Sequence, residues 1–400
     1  MNRKVLILRH KLISAGGAEL VFLKEAEYLS KNGFDVIGAA FEMHNNVVGK
    51  YASFFKKTWM PNRVGFFSQV IGLRRLLVEE RPDIVFTHEN AHIHLMFAKA
   101  LLLKRPITIH HMYGSFMWLK GSELNRSLFF RKRIRLVAKR IITAYGDFNQ
   151  GVFGSVGLVT RLKIELHALL DYFAIRSLDT LVTCSQSTAN EIFMLYHKTP
   201  IVIGGGVDVD DFKIPQGSTV ASVRSALHLP VNKKMVFTVN RLDDRKRIDL
   251  LIEAFLEMRA GGDGAILVIA GKGPDEGRLK GLVPSEMSGD VFFIGFVSDE
   301  ELKDLYYASD IVAYPAWCAW GLVPLEALAM NKTTIIARDA MVQEAVASLS
   351  NVIVHNPDKE SLKLAMQKAL ADRGGRSRGF IEEHLSWNAY FSAILKAVRT

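Results

Sequence analysis

Short apolar runs rich in β-branched residues alternate, along almost the whole chain, with longer segments whose apolar residues recur every three or four positions. The short runs predict strands at residues 5–8, 35–40, 84–87, 107–109, 180–184, 201–203, 235–239, 265–270, 291–294, 311–314, 334–337 and 352–354. Runs that are apolar on both faces and separated by helical segments are typical of parallel sheets covered by helices on both sides. The pattern therefore predicts an α/β protein with doubly wound sheets.

The strand series restarts after a segment rich in glycine and aspartate, GGGVDVDDF at residues 204–212. We place a domain boundary there and predict two Rossmann-like domains, 1–200 and 201–383. An amphipathic last helix is predicted over 384–400, where it could pack back on the first domain. Doubly wound sheets bind ligands at the carboxyl ends of their strands, so we expect a cleft between the two domains.

Composition narrows the class of protein. The chain has 400 residues, 49% of them hydrophobic and 23% charged, which is typical of a globular protein with two cores. Its two cysteines offer no disulfide framework and favour a reducing compartment. The N-terminal apolar run is too short for a signal peptide, and no stretch is long enough to span a membrane. We expect a cytoplasmic protein, either soluble or peripheral on the cytoplasmic face of a membrane.

The formal net charge of +10 favours anionic partners, although a basic but inert surface is the plain alternative. Residues 126–140, RSLFFRKRIRLVAKR, contain seven basic residues and no acidic one. Their apolar and basic side chains fall on opposite helical faces, so the segment could lie in an anionic membrane interface or bury its apolar stripe in the core. Nucleic acid is not expected, because no aromatic platform is interleaved with the charges.

Two histidine motifs carry possible chemistry. Residues 88–92 read HENAH, which matches the HExxH zinc signature. Metalloprotease chemistry needs His88 and His92 on one helical face, whereas His88 ends a predicted strand, so a zinc hydrolase is a remote alternative to an incidental match. His110 also ends a predicted strand and is a candidate for contact with a sugar, although a lone histidine is more often structural.

Glycine-rich and basic turns follow several predicted strands. Gly16 and Gly17 precede a helix, where they could bring backbone N–H groups to a phosphate or form an ordinary tight turn. Arg241 and Lys246 follow the strand 235–239, where they could hold a diphosphate and offset the charge of a leaving group, a solvated charged loop being the alternative.

Other turns could complete a nucleotide site. Gly271 and Gly273 suit a loop against a nucleotide, and Phe296 and Val297 could form an apolar wall beside a base. Glu326, after an apolar strand, could accept both hydroxyl hydrogens of a ribose diol. It could equally be a favourable charge in a first helical turn, and its spacing alone leaves the two readings open.

Together these segments resemble the retaining GT-B glycosyltransferases of family 4, the glycogen-synthase-like and mannosyltransferase-like group, over nearly the whole chain. The resemblance is carried by GGAE at 16–19, ITIH at 107–110, CSQST at 184–188, GVDVDDF at 206–212, NRLDDRK at 240–246, AGKGP at 270–274, GLVPLEALA at 321–329 and LSW at 385–387. Most of these motifs are weak singly, but their order and spacing together are specific.

The resemblance implies transfer of a hexosyl or N-acetylhexosaminyl group from a UDP- or GDP-linked sugar to a glycan or lipid-linked glycan, with retention at the anomeric carbon. It implies no metal and no other cofactor, because basic side chains and helix dipoles carry the charge of the leaving group. By matching position, Arg241 and Lys246 bind the diphosphate, His110 the sugar and Glu326 the ribose. The further expected contacts are Gly16, Gly17, Gly271, Gly273, Phe296, Val297, Cys318, Gly321, Leu322 and Val323.

The chain departs from the family's pattern at Cys318. The family places a glutamate eight positions before Glu326, facing the donor sugar. A thiol replaces neither its charge nor its two acceptor oxygens. The sequence is therefore consistent with an altered donor choice and also with a protein that binds a nucleotide or glycan without transferring a sugar.

Overall fold

In a computed structural model the described residues are 3–13, 17–44, 48–100, 102–112, 133–134, 136–138, 158–213, 217, 219–262, 264–318, 320–371 and 374–399. The chain divides into two compact units, Met1–Ile203 with Phe391–Thr400, and Gly204–Tyr390. Each unit contains a parallel sheet with flanking helices, which confirms the predicted fold class.

The first unit has a sheet of seven strands in the order β3-β2-β1-β4-β5-β6-β7. The strands are β1 (Lys4–Leu12), β2 (Asp35–Met43), β3 (Lys57–Trp59), β4 (Ile84–His88), β5 (Ile107–His111), β6 (Thr180–Thr183) and β7 (Ile201–Val202). The helices are α1 (Gly17–Lys31), α2 (Phe66–Glu80), α3 (Ala91–Lys99), α4 (Leu158–Ser177) and α5 (Gln186–Tyr196), with a 3-10 helix at Gly49–Phe54. The helices bury their apolar faces against the sheet because its strands are apolar on both sides.

The second unit has a six-stranded sheet in the order β10-β9-β8-β11-β12-β13. The strands are β8 (Lys234–Val239), β9 (Ala265–Ala270), β10 (Val291–Gly295), β11 (Ile311–Tyr314), β12 (Thr333–Ala337) and β13 (Val352–His355). The helices are α6 (Val220–Ala226), α7 (Ile248–Ala260), α8 (Glu276–Lys280), α9 (Asp299–Ala308), α10 (Leu322–Ala329), α11 (Gln343–Val346), α12 (Lys359–Ala371), α13 (Arg378–His384) and α14 (Trp387–Arg399). Hydrophobic clusters fill both faces of the sheet.

Each sheet has a point where the strand order reverses. In the first sheet it lies between β1 and β4, and in the second between β8 and β11. The chain leaves the two neighbouring strands in opposite directions there, which opens a crevice beyond their carboxyl ends. These crevices are where ligand-binding side chains are expected.

The structure differs from the sequence prediction at a few elements. Strand β3 was not predicted, because Lys57–Trp59 is a short edge strand without an apolar run. Strand β1 runs four residues past the predicted end at Leu8, because the guanidinium of Arg9 is buried in ion pairs with carboxylates. The C-terminal helix predicted over 384–400 is α14, which begins at Trp387 after the unpredicted helix α13, and its Phe391 ring lies 5.3 Å from the Tyr28 ring of α1.

No helix in the described part of the chain is both long enough and apolar enough to cross a bilayer.

Candidate functional site

The loop after β8 carries the predicted diphosphate-binding cations at the switch point of the second sheet. The Arg241 side chain is 70% exposed, and Lys246 ends a single 3-10 turn. Arg247 has a left-handed backbone (φ 51°), and its two terminal nitrogens donate to the Asp339 carboxylate at 2.8 and 2.6 Å. This bidentate pair anchors the loop while Arg241 extends toward solvent.

The glycines after β9 pack directly against that loop. A Cβ atom on Gly271, whose φ is +113°, would lie 1.9 Å from the backbone oxygen of Asn240. A Cβ atom on Gly273 would lie 2.1 Å from the backbone oxygen of Leu242. The Leu242 N–H in turn donates to the backbone oxygen of Lys272. Only glycine allows this backbone-to-backbone approach, so both positions are required to hold the basic loop in place.

The end of β10 lies next to the loops after β8 and β9. The Gly271 N–H donates to the backbone oxygen of Gly295 at 2.6 Å, which ties the two strand ends together. Phe296 is 77% exposed, whereas the half-buried Val297 packs against the core of the second unit. The predicted apolar wall is thus presented mainly by Phe296.

The loop after β11 places Cys318 beside a buried tyrosine. The Cys318 Sγ lies 3.1 Å from the Tyr314 hydroxyl. Burial raises the pKa of the Cys318 thiol, which the Tyr314 hydroxyl and the Lys246 ammonium only partly oppose. A Cβ on Gly321 would lie 2.3 Å from the Tyr314 hydroxyl oxygen, so this glycine makes room for the tyrosine. The position therefore holds a neutral thiol close to a basic loop.

Glu326 is the fifth residue of α10, after the half-buried Leu322 and Val323, and not part of its first turn. Its position therefore disfavours the simple role of a first-turn charge that stabilises the helix dipole. The Tyr306 hydroxyl donates to Glu326 Oε2 at 2.7 Å. Burial raises the pKa of Glu326 to about 7, although the Tyr306 hydrogen bond acts in the opposite direction. Near neutral pH this carboxyl group is divided between its protonated and ionised forms.

The first unit contains a cavity of about 630 Å³ beyond the ends of β1 and β4. It is lined by His10, Lys11, Ile13, Glu19, Phe66, Glu89, Asn90, Ile93, His94, His167 and Leu170. The cavity lies at the switch point of this sheet, which is the usual ligand position in doubly wound folds.

Two carboxylates in the cavity wall are oriented by Arg9, which is 1% exposed. Its Nη2 donates to Glu19 at 3.2 Å and to Glu89 at 2.6 Å, and its Nε donates to the backbone oxygen of Lys11 at 2.6 Å. Carboxylate oxygens held in this way can accept hydrogen bonds from ligand hydroxyls. The sequence alone does not reveal this group, because Arg9 lies beyond the predicted end of β1 at Leu8. The motifs that contain Glu19 and Glu89 were also given other roles.

His94 adds an imidazole to the same cavity. It is 6% exposed, its ring lies 4.2 Å from that of Phe41 and 4.7 Å from that of Phe66, and its Nε2 is 3.1 Å from the Gln69 side-chain oxygen. Its Nδ1 has no hydrogen-bond partner in the described part of the chain. Burial lowers the pKa of His94 to about 4, so the cavity contains a neutral imidazole.

His110 is buried at the end of β5 and is not among the described residues that line this cavity. Its Nδ1 lies 2.8 Å from the Thr87 hydroxyl, and its ring lies 4.5 Å from that of His92.

Gly17 begins α1, whereas Gly16 and most of the basic segment 126–140 lie outside the described residues. The structure thus places His110 and Gly17 at strand and helix ends of the same unit.

The zinc-hydrolase alternative is wrong in its geometry. His88 lies in β4, whereas His92 lies on α3 and bonds through Nε2 to Asp171 at 2.9 Å. The two histidines therefore do not share the helical face that the HExxH motif requires.

One histidine cluster has the composition of a metal site. The ligand atoms of Glu25, His88 and His111 lie within 4.8 Å of one another. However, the two imidazole rings are parallel to within 5°, and each Nε2 points at a different carboxylate oxygen, at 2.8 and 3.0 Å. Parallel rings do not direct their nitrogens at one ion, so this geometry fits a hydrogen-bonded clamp between α1 and the sheet better than a metal site.

Two families match successive parts of the chain. The match to Glycosyltransferase Family 4 covers residues 15–211. The match to Glycosyl transferases group 1 covers residues 221–386. The second match includes the loops after β8, β9, β10 and β11 described above.

Curated relatives include an uncharacterized glycosyltransferase of Methanocaldococcus jannaschii, 26% identical over 246 residues, or 58% of this chain and 62% of the relative. A GDP-mannose-dependent monoacylated alpha-(1-6)-phosphatidylinositol monomannoside mannosyltransferase of Corynebacterium glutamicum is 27% identical over 52% of this chain and 59% of its own. The chain thus spans about three fifths of the length of these two relatives. A D-inositol 3-phosphate glycosyltransferase of Segniliparus rotundus is 23% identical over 89% of this chain and 75% of its own.

Solved structures resemble the whole chain. A glycosyltransferase from Rickettsia africae has a TM-score of 0.74 at 16% identity and covers 100% of this chain and 98% of its own. Anabaena HepE in complex with UDP has a TM-score of 0.71 at 16% identity and covers 98% and 100%. With two family matches, two Rossmann-like sheets and these neighbours, the chain belongs to glycosyltransferase family 4 and has the GT-B fold.

Proposed function

We propose that the protein is a retaining glycosyltransferase that moves a sugar from a UDP- or GDP-linked donor to a glycan or lipid-linked glycan. The observation that carries this proposal is the basic loop after β8, which Arg247 and Asp339 anchor with Arg241 exposed at the switch point of the sheet. A guanidinium and an ammonium on a fixed loop suit a diphosphate. The curated relatives and the UDP complex of HepE support a nucleotide-sugar donor.

The proposed donor site uses the surrounding loops. At Gly271 and Gly273 the backbone of the loop after β9 approaches the nucleotide closely. Phe296 and Val297 flank the base, and Glu326 binds the ribose. The remaining expected contacts with the phosphates and the sugar come from Cys318, Gly321, Leu322 and Val323. Gly16 and Gly17 are proposed to lie near the diphosphate and the acceptor.

The proposed reaction is a front-face displacement. The acceptor hydroxyl attacks the anomeric carbon on the face from which the diphosphate leaves, and the electron pair of the breaking bond passes to the diphosphate oxygen. Arg241 and Lys246 stabilise that developing charge, and a donor phosphate oxygen takes the acceptor proton. His110 is proposed to contact the sugar. We propose no metal, because these cations and the N-terminal end of α10 supply positive charge.

The cavity of the first unit is the proposed acceptor site. Its Arg9-bound carboxylates, Glu19 and Glu89, can accept several hydroxyl hydrogens, and Phe66 offers a ring face. The neutral His94 imidazole adds a further polar contact. This combination of acceptors with apolar surface suits a polyhydroxylated ring such as a sugar or a cyclitol.

A panel of UDP-, GDP- and ADP-sugars tests the donor assignment. A donor that binds the native fold raises the melting temperature by mass action. We expect a shift with UDP- or GDP-sugars, followed by transfer of radiolabelled sugar from the same donor to a glycan acceptor. The absence of any shift across the panel would contradict the proposed function.

Glu326→Gln tests the ribose contact. An ionised carboxylate accepts both ribose hydroxyls, and since the pKa of Glu326 is about 7, nucleotide affinity should rise between about pH 6 and about pH 8. The glutamine variant should bind roughly 10- to 100-fold more weakly, without this pH dependence. Calorimetric titration with the nucleotide checks both results. Glu301→Gln, which changes a glutamate in the capping box of α9, is the control, and an equal effect there would count against the assignment.

A second candidate function is binding of a nucleotide or glycan without transfer, which the neutral thiol at position 318 favours. If instead the protein transfers sugar, we expect Cys318→Glu to change donor preference and leave nucleotide binding within about threefold, since in this proposal position 318 faces the donor sugar and not the nucleotide. Cys318→Ser is the matched control because it keeps a small neutral group. Wild-type protein that binds nucleotide but neither hydrolyses nor transfers a donor sugar would establish the second function.

We propose further that the acceptor is reached at an anionic membrane surface. With most of the segment 126–140 outside the described residues, helix α2 provides the supporting surface. Phe67 is 80% exposed and Ile71 53%, and they share one helical face with Val78. Arg74 lies within this face and Arg75 beside it. Exposed apolar side chains flanked by arginines match the chemistry of an anionic bilayer interface.

The double variant Phe67→Ser/Ile71→Ser tests this surface. We expect it to reduce co-sedimentation with anionic vesicles by roughly tenfold, because two apolar side chains no longer enter the interface. Leu364→Ser, which alters an exposed leucine of the second unit, should sediment like the wild type. If wild-type protein stays in solution with anionic vesicles at low salt, the membrane proposal is wrong.

A further inference from the structure

The loop after β12 brings a carboxylate to the same edge of the second sheet as the basic loop after β8 (residues 240–247). Asp339 follows β12, which pairs with β11, and β11 in turn pairs with β8. The three strands are parallel, so the loops after them lie side by side at their carboxyl ends. The Asp339 side chain is 31% exposed. An accessible carboxylate therefore lies beside the loops that carry Arg241 and Cys318.

Backbone hydrogen bonds join these three loops around Cys318. The Trp317 N–H donates to the backbone oxygen of Arg245 at 2.9 Å, which links the loop after β11 to the basic loop. The Met341 N–H donates to the backbone oxygen of Cys318 at 3.0 Å, which links the loop after β12 to the loop after β11. Cys318 thus lies where the three loops meet, and its partner Met341 belongs to the loop that carries Asp339.

Arg247 holds the Asp339 carboxylate in place from the basic loop. Its Nη1 and Nη2 donate to the two oxygens of Asp339 at 2.8 and 2.6 Å, and Nη1 also donates to the backbone oxygen of Pro315 at 3.4 Å. One guanidinium therefore fixes the carboxylate relative to the loop that carries Cys318. Arg247 does so from a left-handed backbone (φ 51°), which a residue other than glycine adopts at a cost in conformational energy. This strain indicates that the placement of the side chain has a function.

Asp339 keeps hydrogen-bonding capacity after it has bound the arginine. A carboxylate offers about four lone-pair sites, and a bidentate guanidinium occupies two of them. The remaining sites can accept hydrogens from the hydroxyl groups of a ligand. Burial is the main cause of the raised pKa of the Cys318 thiol, and the Asp339 charge acts in the same direction. The carboxylate therefore lies close enough to the thiol to affect it electrostatically.

We propose that Asp339 binds hydroxyl groups of the donor sugar, and that Arg247 is the positioning residue that orients its carboxylate. The inference rests on the proposed function, in which position 318 faces the donor sugar. A thiol is only a weak hydrogen-bond acceptor, so Asp339 supplies the acceptor oxygens that Cys318 lacks. Two neighbouring hydroxyls of a sugar ring can donate to the two oxygens of one carboxylate. Asp339 then determines which donor sugars bind well.

The affinities of a nucleoside diphosphate and of its sugar conjugate test this contact without any transfer. UDP and UDP-glucose are one pair of probes, and GDP and GDP-mannose are the other, each titrated by calorimetry. In Asp339→Asn, the ratio of the affinity for the conjugate to that for the bare nucleotide should fall at least roughly tenfold, because only the conjugate loses hydrogen bonds to a charged group. An unchanged ratio in the folded variant would overturn the inference.

Arg247→Lys leaves the carboxylate in place and tests its orientation. Lysine keeps a positive charge beside Asp339 but cannot make the bidentate contact. The affinity for the bare nucleotide should fall because the basic loop is held less firmly, and the ratio should fall by less than in Asp339→Asn. An ion pair that is only structural would instead lower both affinities together in each variant, with both ratios unchanged.

A relocated carboxylate gives the second test. Because Cys318 and Asp339 lie on joined loops, Cys318→Glu in the Asp339→Asn background should restore the ratio to within about threefold of the wild-type value. Cys318→Gln in the same background is the matched control, since it adds nearly the same bulk without the charge, and it should restore nothing. Equal ratios in the two double variants would contradict the inference.

The outcomes separate the inference from the proposed function. If wild-type protein binds neither UDP nor GDP nor a sugar conjugate of either, the proposed function and the inference both fail. If it transfers sugar from one of these donors while the ratio in Asp339→Asn stays at the wild-type value, the inference alone fails. Far-ultraviolet circular dichroism establishes that each variant is folded.

Discussion

Arg241→Ala is expected to lower kcat for sugar transfer by roughly 100- to 1000-fold, because the guanidinium stabilises charge that develops only as the bond to the diphosphate breaks. The side chain is 70% exposed, so its removal should leave the melting temperature of the unliganded protein almost unchanged. Lys246→Ala should produce a loss of similar kind. Single-turnover transfer from a saturating radiolabelled donor measures the effect.

Arg245→Ala is the matched control for Arg241. Arg245 belongs to the same loop, where its side chain lies 3.5 Å from Asp243 and its backbone oxygen accepts the Trp317 N–H. The alanine variant keeps that backbone contact and should retain most of the activity. Near wild-type turnover in Arg241→Ala would refute the assignment of the diphosphate site.

Gly271→Ala is expected to have the second large effect, and on the fold of the donor site itself. The added Cβ would lie 1.9 Å from the backbone oxygen of Asn240, at a φ of +113° that other residues rarely adopt. Relief of this clash must move the backbone of one loop. We expect at least about 2 kcal/mol of destabilisation and loss of measurable nucleotide binding. Urea denaturation and calorimetric titration measure the two quantities.

Gly277→Ala is the control for this strain. Gly277 lies in α8, and a Cβ there would meet no heavy atom within 4 Å, so the substitution should be neutral or slightly stabilising. If Gly271→Ala binds nucleotide like the wild type, the close packing of the loops after β8 and β9 is not needed for the donor site.

The candidate site could be predicted from sequence where a motif follows a strand directly. Arg241 and Gly271 come immediately after apolar runs, and parallel strands bring such turns to one edge of a sheet. Cys318 stands out in the sequence as a candidate position because the chain departs there from the family's pattern. By contrast, the sequence prediction ends β1 at Leu8, before Arg9, because nothing in the local sequence shows that Glu19 and Glu89 surround the Arg9 guanidinium.

The sequence by itself determined the α/β class, the parallel sheets, the restart of the strand series near residues 204–212 and the family. These features depend on local periodicity and on motifs that stand close together along the chain. Tertiary structure alone decided which carboxylate faces which cation or imidazole. Glu89 joins Arg9 across 80 positions, and Asp171 joins His92 across 79. Pairs so far apart along the chain meet only when the strands and helices pack together, and that packing is a property of the whole unit.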